Sequence, residues 1–184
     1  MLPVMKKSLI IATVLLLSIN CNAKPVCDLS NVPKIDGLHI GMTANDFLSV
    51  HPTAVNEPMP GDKPPRQSRL DFPMHNGEFL GHLKGVGGIG HIATLDGVVY
   101  SYAISFLDAG SDYDTSLDDF KNMLIDRYRL PREGWNKAGS SSIKLQCGNI
   151  RVEVFQDHGA AHTAIGPTLF VRDVRLAKIA DRLN

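Results

Sequence analysis

Seven histidines, three cysteines and one glycine-dense run are the features of this 184-residue chain that hold the means for chemistry. The histidines are His39, His51, His75, His82, His91, His158 and His162. A zinc centre takes three or four ligands at defined spacing, each held by a further hydrogen bond. His158 and His162 stand four apart, the spacing of one helical face, but Asp157, Gly159 and Thr163-Ala164-Ile165-Gly166-Pro167 mark a loop, where that spacing fixes nothing. A metal-binding or hydrolytic reading would need His82, His91, His158 and His162 to converge; the spacing alone assembles no ligand set, so no metal is expected.

The other constellations weaken in the same way. Gly85-Val86-Gly87-Gly88-Ile89-Gly90 has the G-x-G-x-x-G spacing, yet a dinucleotide site needs a helix directly after it, and here a β-hairpin pattern follows. Ser141 and Lys144 have the S-x-x-K spacing, which works on a helix; Ile143 opens a strand pattern that sends the two to opposite sides. There is no G-x-S-x-G nucleophile elbow. Asp112, Asp114, Asp118 and Asp119 miss the spacing of a calcium loop, and the last two suit a helix N-terminus. No catalytic residue and no cofactor is expected. Trp135, with Arg132 and Lys137 beside it in a loop after Pro131, is a candidate interface anchor as well as a candidate core residue.

Cysteine chemistry depends on compartment. Lys6 and Lys7 precede the apolar run Leu9 to Ile19, and Cys21-Asn22-Ala23 supplies small side chains at the −3 and −1 positions of a signal-peptidase site. Eleven helical residues rise about 16 Å, roughly half the hydrocarbon core of a bilayer, so this run is too short to span. Residues 1–23 therefore read as a signal peptide cleaved after Ala23, which predicts a periplasmic or secreted protein. Lipidation at Cys21 is the alternative, but Ser18 and Asn20 stand where a lipobox has Leu and a small residue.

Cleavage leaves Cys27 and Cys147, an even pair in an oxidising compartment, and predicts a disulfide between them. It also removes two lysines from a chain with 19 basic and 19 acidic residues, giving a slightly acidic mature protein without the basic excess of a nucleic-acid binder. No later segment is apolar and long enough to span a membrane as a helix.

Residues 24–184 read as one α+β domain. Thr43 and Asp46 form the ends of a capping box for a helix that carries Phe47 and stops at Pro52. The stretch 56–73, with five prolines, reads as a loop. Asp96-Gly97 and Gly148-Asn149 each sit between apolar alternating runs and predict hairpins. In the run 98–107, alternation puts Val98, Tyr100, Tyr102, Ile104 and Phe106 on one face. Thr115 or Ser116 caps a second helix with the stripe Leu117, Phe120, Leu124 and Tyr128; Thr168 to Arg172 reads as a strand. A final helix over 174–183 carries Leu176, Ile179, Ala180 and Leu183. The order predicts an antiparallel sheet with two or three helices, arranged as two degenerate helix-plus-strands halves.

Gly37-Leu38-His39-Ile40-Gly41-Met42-Thr43 with the following Phe47 helix resembles the Gly-Met-Thr/Ser motif of small exported bacterial domains. These include the small outer-membrane assembly lipoproteins and the β-lactamase-inhibitor-protein-like folds. Leu130-Pro131, Leu145-Gln146-Cys147 and the helix led by Asp173 extend the likeness to uncharacterised exported bacterial proteins. The resemblance implies a helix ahead of a short antiparallel sheet, and domains that bind other proteins instead of catalysing reactions. The expectation is a non-enzymatic binding domain of the bacterial envelope whose partner is an envelope or secreted protein, with the Pro-rich 56–73 segment and the Arg132–Lys137 loop as interfaces. An envelope hydrolase or metal-binding enzyme built on histidines is the alternative.

Overall fold

The fold comes from a computed structural model that describes residues 27, 29, 33–35, 37–60, 66–71, 74–75, 78–79, 89–106, 116–156 and 167–183; at 74–75, 78–79, 89–90 and 156 it describes backbone alone. The signal-like segment 1–23 and Cys21 lie outside these residues, as do the loop histidines His82, His158 and His162, most of the glycine run, and Asp112 and Asp114.

Helix α1 (Ala44–Val50) begins where Thr43 Oγ1 accepts the Asp46 N–H at 3.0 Å. Asp46 does not return the bond to the Thr43 backbone; its carboxylate takes the Thr43 hydroxyl at 2.7 Å, so half of the expected capping box forms. Strands β1 (Val55–Pro58) and β2 (Gln67–Asp71) follow, then the two-residue pair β3 (Met74–His75) and β4 (Glu78–Phe79), and the long hairpin β5 (Ile89–Leu95) and β6 (Val98–Ser105). Helix α2 (Leu117–Tyr128), the short β7 (Asn136–Lys137), then β8 (Ser142–Cys147), β9 (Ile150–Gln156), β10 (Pro167–Asp173) and α3 (Val174–Ala180) complete the chain. Eight strands form one antiparallel sheet in the order β1-β2-β5-β6-β10-β9-β8-β7. Each side of the β6–β10 pair is thus a four-strand meander preceded by a helix.

The stretch 56–73, expected to be loop, holds β1 and β2. Pro58 is tolerated because β1 is the sheet edge. Met59 N–H donates to Gln67 O, which puts Glu57 and Val55 in the same phase toward β2, so the donor that Pro58 lacks would have pointed outward. Leu70, fully buried, is what commits the polar β2 to the core.

At the β5–β6 turn Asp96 and Gly97 both have positive φ, +50° and +75°, the type I′ geometry that matches strand twist. Gly148 opens the β8–β9 turn at φ +56°.

One core lies between the sheet and α1 and α2, joining Phe47, Phe120 and Leu124 to Ile92, Ile104, Val152, Val154 and Leu169. Strand alternation fails at two places along the β5–β6 pair. Thr94 pairs with Val99 and Ala93 with Ser101, so Tyr100 is an extra residue in β6. This bulge flips the phase. Val99, Tyr102, Ile104 and Phe106 share the helix side, whereas Tyr100 faces the other side with Ala93 and Leu95. Gly90 makes a second bulge in β5. On α3 the expected stripe holds at Leu176, Ala180 and Leu183, which cluster with Ala177, Ala93, Leu95 and Tyr100, whereas Ile179 is exposed.

The N-terminal arm is bound into this core. Leu29, Ile35, Leu38 and Met42 are buried, and Tyr102 Oη donates to Pro33 O at 2.8 Å. Burial holds the Tyr102 phenol far above its ordinary range, so it stays a donor. Gly41 N and Met42 O bond Val99 where β10 has already ended. Cys27 and Cys147 form the disulfide, with Cα atoms 5.2 Å apart and a sequence separation of 120. No helix among the described residues is long and apolar enough to cross a membrane.

Candidate functional site

The second face of the sheet is covered at one end by α3. Asp173, the last residue of β10, caps that helix by accepting from Arg175 and Leu176 N–H, Gln67 Nε2 donates to Ala180 O, and Ala93, Leu95 and Tyr100 pack on Ala177 and Ala180. Beyond α3 the face has no helix among the described residues.

The cross-strand register orders what this open face presents. Ala103 of β6 lies opposite His91 on one side and Phe170 on the other; Phe170 lies opposite Glu153, and Glu153 opposite Lys144. One row further, Ser105 pairs with Thr168, their hydroxyls 3.2 Å apart, and Thr168 with Phe155, which pairs with Ser142. His91, Ala103, Phe170, Phe155, Glu153 and Lys144 are all half-buried. Small side chains on β6 therefore run beside two aromatic rings, with carboxylates and cations toward both edges. Neither ring belongs to the buried core, which Leu169 and Val171 serve from β10 and Val152 and Val154 from β9.

Toward the β1 edge the electrostatics are local. Arg69 Nε bonds Asp71, and its Nη2 stands 3.9 Å from Glu57. His91 faces this group. Burial lowers its pKa below the usual 6.5, the Arg69 guanidinium adds to that, and Asp71 opposes it. The folded state thus disfavours the charged imidazole. Between the lowered pKa and 6.5 the unfolded chain binds the extra proton, so His91 makes stability fall as pH falls below about 6.5. Replacing it by Gln is expected to flatten that part of a pH series of urea-unfolding midpoints; an unchanged slope in His91→Gln would contradict the assignment.

Few of the residues singled out from the sequence gather here. Trp135 packs on the helix-side core and donates its indole N–H to Pro131 O at 2.7 Å, so it holds the loop after α2. Arg132 is exposed and bonds Asp126 at 2.8 Å; Lys137 is exposed on the edge strand β7. His39 is bonded through Nδ1 to Ile40 O, and the His51 ring lies 4.6 Å from that of Phe47. Asp118 bonds Lys121 and Asp119 bonds the Ser116 hydroxyl, which accounts for both at the α2 N-terminus. Lys144 extends from β8 onto the open face, and Ser141 precedes that strand. Among the described residues no three or more of His, Cys, Asp and Glu are arranged to hold a metal ion.

Phe170, Phe155 and Glu153 were missed, although the alternation Thr168-Phe170-Arg172 against Leu169-Val171 carried a signal: an aromatic ring out of phase with the core. Comparison of the chain with protein-family models, with curated proteins and with solved structures finds no match.

Proposed function

We propose that this chain is an exported, non-enzymatic binding domain of the bacterial cell envelope, which engages another protein through the sheet face turned away from α1 and α2. The observation that carries the reading is the pair of half-buried rings, Phe170 and Phe155, flanked by Glu153 and Lys144 on a face that the core does not need. Aromatic side chains between polar neighbours are the composition of an interface centre.

Further observations support it. The Lys6–Ala23 segment has the order of a secretory signal, and a disulfide tying residues 120 apart suits an oxidising compartment. The arrangement of a helix and a four-strand meander on each side of the β6–β10 pair suits two degenerate halves. It also suits the resemblance to the small outer-membrane assembly lipoproteins and β-lactamase-inhibitor-protein-like domains, which bind proteins. Among the described residues the charged groups of the face converge on no common point: Arg69 pairs with Asp71 and Arg172 with Asp181, and Glu153 and Lys144 stand opposite each other in register.

The test is substitution. Phe170→Arg adds charge at a half-buried ring without touching the helix-side core. In the organism that makes the protein, chemical cross-linking followed by affinity purification is expected to recover one defined envelope protein with the wild-type chain and to lose it with Phe170→Arg. The double variant Arg132→Ala/Lys137→Ala is expected to keep it. Recovery undiminished by Phe170→Arg, or lost with the Arg132/Lys137 variant instead, would move the interface to the loop after α2.

A further inference from the structure

Helix α3 sorts its charges by sign. Five of the residues from Asp173 to Arg182 are ionisable, and the fold consumes both carboxylates. Asp173 is buried and caps the helix, and Asp181 receives the Arg172 guanidinium on both oxygens, at 3.3 and 3.2 Å. The three cations, Arg175, Lys178 and Arg182, are all exposed, and of these Arg175 alone has a carboxylate within pairing range among the described residues, Asp173 at 3.5 Å.

At 100° per residue Arg175 and Lys178 lie about 60° apart on the side of α3 opposite the Ala177 and Ala180 contacts, and Arg182 follows in the turn just beyond the helix. Ile179 belongs to the same outer side and is 39% exposed, one of three large hydrophobic residues that the described fold leaves in solvent. The chain has equal numbers of basic and acidic residues, so this is a local excess. It stands on the same side of the sheet as Phe170, and Arg172, which bonds Asp181, lies opposite Arg151 in the β9–β10 register.

We propose that the partner of the open face is an acidic protein surface, whose carboxylates dock on Arg175, Lys178 and Arg182 around Ile179. The inference rests on the binding reading above and names the chemistry of the partner. Charges at an interface rim set the sign of the partner and the speed of encounter, and the apolar side chain among them gives the contact a desolvated centre. An anionic bilayer is the lesser fit: the apolar side of α3 is turned to the sheet, so Ile179 is what the helix offers for insertion, and surface helices bind by a broad apolar face.

The test uses the oxidised mature protein with poly-L-glutamate as the probe at low salt. Poly-L-lysine and vesicles of phosphatidylcholine and phosphatidylglycerol (about 7:3, an anionic surface) serve for comparison. Poly-L-glutamate is expected to shift the backbone amide resonances of α3 and of Arg151. Lys178→Glu/Arg182→Glu, both at exposed positions, is expected to weaken that binding about tenfold or more with an unchanged melting curve. Equal affinity in the reversed variant, shifts confined to other surfaces, or tighter binding to the anionic vesicles than to poly-L-glutamate would overturn the proposal.

A photo-crosslinker at Phe170 separates this inference from the reading beneath it. An adduct formed in the native envelope with equal yield in the wild-type and charge-reversed backgrounds refutes the acidic partner and leaves the binding face standing. Loss of the adduct on charge reversal supports the proposal. No adduct in either background removes the binding face, and the acidic partner with it.

Discussion

Phe120→Ala is expected to lower the stability of the fold by about 3–5 kcal/mol. The ring is 2% exposed, belongs to the main core and meets Phe106 edge-on, with centroids 5.1 Å apart and planes at 70°. Its removal costs the transfer of a whole aromatic side chain, the cavity left between α2 and the sheet, and the ring–ring geometry. The site has little freedom to collapse, because Leu124 one turn on is fully buried in the same core and fixes the helix height. Urea unfolding should show a midpoint that falls while the slope stays constant, since the folded surface does not change. A loss below about 1 kcal/mol would mean that α2 is not seated on the sheet as described.

Cys27→Ser is expected to cost about 3–5 kcal/mol, close to the upper bound of the chain-entropy argument for a loop of 120 residues. The crosslink joins the partly buried arm residue Cys27 to Cys147 at the end of β8, and between them lie the arm anchors Leu29, Ile35 and Leu38. These anchors and the Tyr102–Pro33 bond keep their own contacts in the variant, so the protein is expected to fold, with a lower unfolding midpoint and faster amide exchange around residues 33–38. Ser is preferred at 27 over 147, because Cys147 is buried and a hydroxyl there would add a desolvation cost. Equal midpoints for the wild type and the variant would show that the disulfide carries no stability, and two free thiols in the intact mass of the native protein would show that it is not made.

The sequence was legible where one local rule acted alone. Asp96-Gly97 announced its hairpin because a type I′ turn needs positive φ twice, and Thr115-Ser116 announced α2 because a hydroxyl there can accept a free N–H of the first turn, as Ser116 does from Asp119. The pairing of Cys27 with Cys147 followed from parity once the cysteine at 21 was assigned to the signal segment. What stayed hidden depended on more than one strand. The Tyr100 bulge is a property of the β5–β6 pair, since it appears as one residue too many against Thr94 and Ala93, and no window on β6 alone contains it. β1 and β2 were hidden by Pro58 and by the prolines that flank the two strands, because the edge position that excuses Pro58 is a fact of the whole sheet.

The open face was half visible. Phe170 and Phe155 alternate out of phase with their core neighbours, but an aromatic ring in a strand is more often core, and the register that sets Phe170 beside Ala103 and Glu153 is written in three strands at once. Trp135 drew attention by its type, and the structure gives it a holding role through Pro131 O.

The central claim is that the sheet face turned away from α1 and α2 is where this domain meets its partner. Site-specific photo-crosslinking in the native envelope tests it most directly, with the probe placed singly at Phe170, Glu153, Asn122 and Arg132. Asn122 is exposed on α2 and Arg132 in the loop beyond it, so these two sample the other candidate surfaces. One adduct of the same mass is expected from Phe170 and Glu153, and none from Asn122 or Arg132. Adducts from Asn122 or Arg132, with the two open-face positions silent, would contradict it.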